Sequence, residues 1–301
     1  KSINASLYNV FMIVIADNKW VYQGDNGEEI KVDRDDFSVT IEGEKVIFDC
    51  VLITIHGTPG EDGKLQGYFD MLKIPYTTSS QLACSLTFNK FFCNALAASW
   101  GINVARSVKV KKRNHVSTSE ILSQVSLPVF VKPNKGGSSL GTTFIRDEQF
   151  LLAAVMLCHE HDDEALIEEY IEGTELTCGI FRRRGELVVL PVTEIVSKTQ
   201  AKFFDYEAKY TQGASDEITP ARIAEQTTQL VQQTTSFLYE KFELKGVCRM
   251  DFILCGDRLF FLEANITPGM SERSIVPQQA AHIGISLTEL FTTLIEEAIN
   301  G

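Results

Sequence analysis

No apolar run in this 301-residue sequence approaches the about 20 residues that a membrane-spanning helix needs, and the stretch "VFMIVIA" (10–16) is only strand length. Positive charge is also scarce. Lys and Arg number 28 against 40 Asp and Glu, a formal net charge of −12, which argues against nucleic acid or an anionic membrane surface as the main partner. An anionic ligand would need locally placed Lys, Arg or metal. The seven cysteines (50, 84, 93, 158, 178, 248 and 255) form an odd set with no CxxC pair, so reduced thiols in a cytoplasm are expected, not a disulfide framework or a zinc site. There is no internal repeat or low-complexity segment, and no signal-peptide pattern is read after Lys1. The chain opens on Lys1 and is expected to begin downstream of its natural start. What is present, 44% hydrophobic and 23% charged residues, is the balance of a globular enzyme of two or three domains at roughly 100–150 residues each.

Periodicity supplies the organisation. "YNVFMIVI" (8–15) and "VIFDCVLITI" (46–55) read as strands of an α/β unit, with short exposed strands between them joined by a Glu-Gly turn at 42–43. Leu65, Phe69 and Leu72 recur at helical spacing after the Gly-rich "HGTPGEDG", so a helix is predicted from about Gly63, with Glu61 and Asp62 at its positive end. A strand, a loop of this kind and a helix N-terminus make a good seat for a polar ligand. One helix is predicted over 80–101, a strand over 127–133, a helix over 147–161 and a strand over 164–173. Strands follow at 175–182 and 186–195. The polar stretch 197–222 is too long for a routine connection and reads as a lid or binding loop. A helix over 222–241, a hairpin over 246–266 and a helix over 286–299, opened by a Ser286/Glu289 capping box, complete the chain.

Three clusters carry the chemistry. In "FFLEANITPGM" (260–270), period two puts Phe260, Leu262, Ala264 and Ile266 on one face and Phe261, Glu263 and Asn265 on the other. If the hairpin turns through the three residues Gly256–Arg258, Asp251 lies opposite Glu263 with Arg249 beside it. A two-residue turn flips that parity unless a bulge restores it. Asp251, Glu263 and Asn265 would then offer oxygen ligands too few to fill an octahedron, which suits Mg²⁺ shared with a substrate phosphate. A solvated face with an Arg–carboxylate pair is the alternative. In "VKPNKGGSSLG" (131–141), Lys132 ends a buried strand before a loop able to approach phosphate, or forming only a Gly-rich hairpin turn. His56 closes a buried strand ahead of a Gly-rich loop, in a structural or a catalytic role.

Taken together and in order, "HGTPGEDGKLQG", "VKPNKGGSSLG", "FFDYEAKY", "RMDF" and "LEANITPGM" resemble the motifs of the D-alanine–D-alanine ligases over nearly the whole chain. The resemblance implies an ATP-grasp fold, mixed α/β, of three domains. A Rossmann-like N-terminal unit would span 1–86 and a central unit 87–173. A C-terminal unit at 174–301 would carry the metal and substrate site, with ATP held between two antiparallel sheets. It implies that Lys90, Lys132 and Lys209 neutralise ATP phosphates under a loop bearing Ser138 and Ser139. Glu168, Glu169, Tyr170, Ile171 and Glu175 would read adenine and ribose. Asp251, Glu263 and Asn265 would hold divalent metal, Mg²⁺ or Mn²⁺, as two ions. The substrates implied are two D-alanines. His56 would lie near the first carboxylate, Arg249 and the Gly269 N–H at the oxyanion, and Ser274 with Met270 at the second carboxylate. Tyr210 would reach Ser138 and a family glutamate on an earlier glycine-rich loop, for which this sequence has no counterpart. In depsipeptide-forming relatives the tyrosine position is typically Phe. A homodimer is the family expectation. Another ATP-grasp carboxylate–amine ligase, or a non-catalytic nucleotide-binding relative, are the rival readings.

Overall fold

The computed structural model describes residues 2–136, 141–197 and 215–300. The first group of elements holds a three-stranded antiparallel sheet, β1 (Ile13–Ala16), β2 (Lys19–Gln23) and β3 (Glu29–Lys31), and a two-stranded hairpin, β4 (Val39–Ile41) with β5 (Glu44–Val46). Helix α1 (Lys64–Leu72) packs Leu65 and Phe69 against Val32, Phe37, Val39 and Ile53. The long strands predicted at 8–15 and 46–55 are cut back: the first begins at Ile13, and the second contributes one parallel bridge, Val51 with Tyr76. Val51 N–H bonds the Pro75 carbonyl at 2.8 Å and Thr77 N–H returns to Val51 at 3.1 Å, but Pro75 has no N–H to offer Asp49, and Ile53 N–H goes to the Thr77 hydroxyl at 3.3 Å, so the ladder stops on both sides.

The helix predicted over 80–101 is two helices, α2 (Gln81–Phe88) and α3 (Lys90–Ser99). Asn89 divides them. Its side chain accepts from Phe92 N–H at 3.1 Å as the cap of α3, and it also receives the Asn134 amide at 3.0 Å, so a local bond replaces the continuous ladder.

After the short β6 (Asn103–Val104) comes a four-stranded antiparallel sheet ordered β7 (Ser107–Lys111), β10 (Glu164–Glu169), β8 (Val129–Pro133), β9 (Thr143–Ile145). Its core face is closed by α4 (Thr118–Leu122) and α5 (Leu151–Cys158) around Val129, Val131, Ala165 and Ile167. Phe130 and Lys132 therefore point the other way.

The second large sheet contains β11 (Thr174–Arg183), β12 (Glu186–Val189), β13 (Thr193–Ser197), β14 (Ser215–Ile218), β15 (Cys248–Cys255) and β16 (Arg258–Asn265), with β6 alongside β16. All its pairings are antiparallel except β16 with β6. The run predicted as one strand over 186–195 is β12 and β13, interrupted at 190–192. One face is covered by α2, α3 and α6 (Glu225–Lys241), whose Cys84, Cys93, Ala97, Val231 and Leu238 join Leu176, Met250, Phe252 and Phe261 in the largest core. The other face is covered at one end by α7 (Ile275–His282) and α8 (Leu287–Asn300) through Val276, Ala280, Leu290 and Leu294. Its remaining part is turned toward the four-stranded sheet. Ser286 caps α8 by accepting from Glu289 N–H at 3.1 Å, while the Glu289 carboxylate pairs with Arg183 at 2.6 Å.

All seven cysteines are free. Burial pushes the thiols of Cys93, Cys178 and Cys248 up to about 12, which leaves them inert at neutral pH. Among the described residues, no helix is long and apolar enough to cross a membrane.

Candidate active site

The final hairpin sets the geometry. Cys255 pairs with Arg258, so the turn is the two residues Gly256 and Asp257, not the three expected. Pairing runs inward through Leu254–Leu259, Ile253–Phe260 and Phe252–Phe261, then skips Leu262 and resumes at Asp251–Glu263 and Arg249–Asn265. This bulge changes the side-chain alternation half-way along β16. Phe261 belongs to the core with Ala264 and Ile266, correcting the simple period-two reading that placed it with Glu263. Glu263 and Asn265 still join Asp251 and Arg249 on the open face, and the bulge is what puts them there.

Arg249 holds Asp251 with two bonds, Nε to Oδ1 at 2.9 Å and Nη2 to Oδ2 at 2.7 Å. Thr177 on β11 donates to the same Oδ1 at 2.6 Å, and the fully buried Gln279 braces Thr177 through its carbonyl at 3.1 Å. Burial alone would lower the Arg249 pKa, but the charges of Asp251, Glu263 and Glu175 drive it above its ordinary value. Lys90, the first residue of α3, reaches Glu263 Oε2 at 3.5 Å and also bonds the Gly136 carbonyl at the head of the Gly-rich loop. Burial alone would raise the Glu263 pKa, but Lys90, Lys132 and Arg249 outweigh it and hold the carboxyl below its usual range.

Across the cleft, Lys132 Nζ lies 2.8 Å from Glu168 Oε1. Burial pulls its pKa down, yet Glu168 and Glu263 more than compensate, and Lys132 stays protonated. Glu168 is 4% exposed and has Asn94 of α3 at 3.5 Å on its second oxygen. Beside it, Phe130, Phe144 and Tyr170 form an aromatic patch with ring centroids 5.0–5.8 Å apart. The Glu169 carboxylate is turned away, accepting from Ser126 N–H at 2.7 Å. Ile171 ends this stretch, half-buried. Glu175 faces the cleft from β11, opposite Ile253 and two pairs along from Thr177–Asp251.

Two loops close the site. In the first, exposed His56 precedes Gly57, whose N–H bonds the buried Glu61 carboxylate at 2.6 Å. Burial pushes the Glu61 pKa up, with the negative Glu263 adding to the rise. In the second, Pro268, Gly269 and Met270 lead to Ser274, the N-cap of α7, which makes no side-chain cap bond of its own. A Cβ on Gly269 would stand 2.8 Å from Ser274 Oγ and 3.3 Å from its Cβ, so a larger residue here would push the Ser274 hydroxyl aside. Asn265 Oδ1 accepts from Thr267 N–H at 3.1 Å. Ser138, Ser139, Lys209 and Tyr210, and most of the predicted loop 197–222, lie outside the described residues.

Asn94, Thr177, Glu61, Phe130 and Phe144 also line the site, although the sequence reading gave none of them a role there. Asn94 had a signal, one helical turn after Lys90, and Phe130 another, two residues before Lys132 on the same strand face. Thr177 had none, because its importance comes from a strand pairing of distant segments.

Comparison with known proteins settles the family. The model of the D-ala D-ala ligase N-terminus matches residues 1–79, and that of its C-terminus matches 96–296. A D-alanine–D-alanine ligase of Flavobacterium johnsoniae is 45% identical over 98% of this chain and 90% of its own length. One from Bacteroides fragilis is 41% identical over 98% of this chain and 90% of its own. The chain belongs to the D-alanine–D-alanine ligase family. It is a ligase, and membership carries the family's reaction with it: ATP-dependent joining of two D-alanines through an acyl phosphate, for peptidoglycan precursors. The family also uses divalent metal ions. Among solved structures, the VanG D-Ala:D-Ser ligase of Enterococcus faecalis superposes with a TM-score of 0.88 at 30% identity, covering 99% of this chain and 92% of that one. A Bacillus anthracis D-alanine–D-alanine ligase solved in complex with ATP gives 0.72 at 27% identity, over 84% of this chain and 79% of that one. The ATP-grasp architecture, mixed α/β with two antiparallel sheets facing one another, is thus that of the family.

Proposed function

We propose that this ligase makes D-alanyl-D-alanine in the cleft between the two sheets, and that its residues divide the work as follows. The reading is carried by one observation: Glu263 is an ionised carboxylate, brought opposite Asp251 by a bulge and faced by Lys90, Lys132 and Arg249. Lys90 and Lys132, with Lys209, neutralise the ATP phosphates. Glu168, the backbone of Glu169 to Ile171, and Glu175 read the adenosine, with Phe130, Phe144 and Tyr170 forming an apolar wall at the base. Ser138 and Ser139, assigned from the family motif, serve the phosphates.

Divalent metal fits the residues present. Glu263 and Asn265 offer oxygen donors, and Asp251 keeps unused lone pairs beyond its bonds to Arg249 and Thr177. Charge balance points the same way. Lys90, Lys132 and Arg249 are already matched by Glu168, Asp251 and Glu263, so a polyanion needs further positive charge. Mg²⁺ or Mn²⁺, as two ions, would supply that charge.

A D-alanine carboxylate, with His56 nearby, attacks the γ-phosphate of ATP, releasing ADP and forming the acyl phosphate. Lys90 and Lys132 stabilise charge on the transferring group. The amine of a second D-alanine attacks the acyl carbon, Arg249 and the Gly269 N–H hold the tetrahedral oxyanion, and phosphate leaves. Ser274, the Met270 turn and the free N–H groups of α7 receive the second carboxylate. Tyr210, assigned from the family motif, favours an amine over a hydroxy acid as second substrate. The domain boundaries, a homodimer, a cytoplasmic location and the absence of nucleic-acid or membrane partners belong to the same reading.

The deciding experiment supplies ATP, Mg²⁺ and D-alanine, follows ADP, and identifies the product by mass, with D-serine and D-lactate as competing second substrates. D-Alanyl-D-alanine as the dominant product is expected. Preferential D-alanyl-D-serine would favour the chemistry of the Enterococcus relative, and no ADP would leave a nucleotide-binding protein only. Tyr210→Phe should raise D-alanyl-D-lactate relative to dipeptide. An unchanged ratio would make Tyr210 an anchor.

A further inference from the structure

Asn94 is an odd choice for its position. It is 3% exposed, on the core-facing stripe of α3, where an apolar residue would pack without penalty. Its amide nitrogen lies 3.5 Å from Glu168 Oε2, and its Oδ1 has no hydrogen-bond partner, a buried deficit that costs stability. Flipping the amide would not help, because it would set Oδ1 against a carboxylate oxygen. Glu168 therefore dictates how Asn94 points, and folding alone does not account for retaining the amide.

The placement suggests what does. Lys90 and Asn94 are four residues apart and share one side of α3. Lys90 addresses Glu263 and the head of the Gly-rich loop, while Asn94 addresses Glu168. Glu168 has Lys132 on one oxygen and Asn94 on the other, and it pairs across the strands with Phe130 of the aromatic patch. Without Asn94, Oε2 has no described partner and the carboxylate can swing to chelate the Lys132 ammonium.

We propose that Asn94 is a positioning residue for nucleobase selection, fixing Glu168 so that the carboxylate presents an acceptor to the exocyclic amine of a 6-aminopurine. A 6-oxopurine would meet the same carboxylate with a carbonyl oxygen and be repelled. The inference rests on the assignment of Glu168 to the base in the reading above, and the test separates the two. kcat/KM is measured with ATP and with ITP for the parent, Asn94→Leu and Glu168→Gln. Asn94→Leu should raise KM for ATP about threefold to tenfold, the usual worth of one hydrogen bond. The ATP-over-ITP preference should shrink by the same factor, while kcat at saturating ATP and KM for D-alanine stay as in the parent. If Glu168→Gln loses the preference but Asn94→Leu retains it, Asn94 is only a packing residue and the proposal fails, whatever the change in Tm. If Glu168→Gln itself retains the preference, the assignment of Glu168 to the base fails first. Should Asn94→Leu not fold, Asn94→Ser, too short to reach Glu168, takes its place with the same expected ratio.

Discussion

The two walls of the cleft hold their charges differently. On the four-stranded sheet, Glu168 is buried and committed to one cation, Lys132 at 2.8 Å, with an aromatic patch beside it. On the hairpin, the Glu263 side chain is 38% exposed and faces three cations, the nearest described being Lys90 at 3.5 Å. A short, buried, one-to-one pair is a finished structure. A longer, shared contact in a half-open position is one that can exchange partners. Under the proposed assignment the first wall recognises the neutral base through Glu168 and lends the phosphates one fixed cation, Lys132, whereas the second, with Glu263 shared among cations, suits the transferring phosphoryl group and metal, whose charges arrive and leave.

That contrast can be broken by substitution. Glu263→Ala should abolish ADP formation, a loss of at least about 10³-fold, because several kcal/mol of charge stabilisation goes with it. The protein should remain folded by circular dichroism, and near-normal turnover in such a protein would remove Glu263 from the metal. Arg249→Ala should lower kcat by roughly 10²–10³, the usual loss for an oxyanion donor, with a much smaller change in ATP affinity. Equal losses in both would move Arg249 to the nucleotide.

On the other wall the damage should be to stability. Lys132→Ala leaves a buried carboxylate unpaired, so about 3–5 kcal/mol of unfolding free energy should be lost along with ATP affinity. Denaturant titration checks this, and a loss as small as that of a surface ion pair would mean that the pair is not committed after all.

The smallest effect sharpens the comparison by pH. Glu263 is held below its ordinary pKa, so its contribution is present above the unfolded value of about 4.3 and is lost as pH falls through the folded one. Glu61 is pushed above its ordinary pKa, so its contribution is complete at low pH and is lost as pH rises through the folded value. In metal-free buffer, raising the pH from the carboxylate range to neutrality should make the Tm of Glu263→Gln fall relative to the parent. The Tm of Glu61→Gln should rise relative to it. Shifts of the same sign would show that the two carboxylates sit in equivalent environments.

How much could be read in advance varied with range. The hairpin as such was legible, and so were α1 and the Ser286 cap of α8, but its turn is two residues where three were read, and its alternation breaks at Leu262, which only the pairing with β15 reveals. The break at Asn89 was not, since a polar residue inside a helical pattern becomes a cap only when a partner such as Asn134 arrives from 45 residues away. The strand predicted over 46–55 failed for a related reason: a strand exists only with a neighbour, and Pro75 ends the pairing on one side of Val51 while the Thr77 hydroxyl takes the Ile53 N–H on the other. Within the site, charged residues announced themselves by being costly at buried strand ends. Thr177 and Asn94 did not, because a hydroxyl or an amide is ordinary anywhere until the fold places it against Asp251 or Glu168.

The unpaired Leu262 has a consequence for how this hairpin can change over generations. It uncouples the turn from the catalytic end, since residues outboard of it follow one phase and Glu263 and Asn265 follow the opposite one. Slippage of the turn is what it balances: if Arg258 joined the turn and Cys255 closed on Leu259, Asp251 would meet Glu263 with no residue left over. Turn length and bulge thus trade against each other at constant chain length, and a relative with a three-residue turn and the same number of residues between Asp251 and Glu263 should have no bulge.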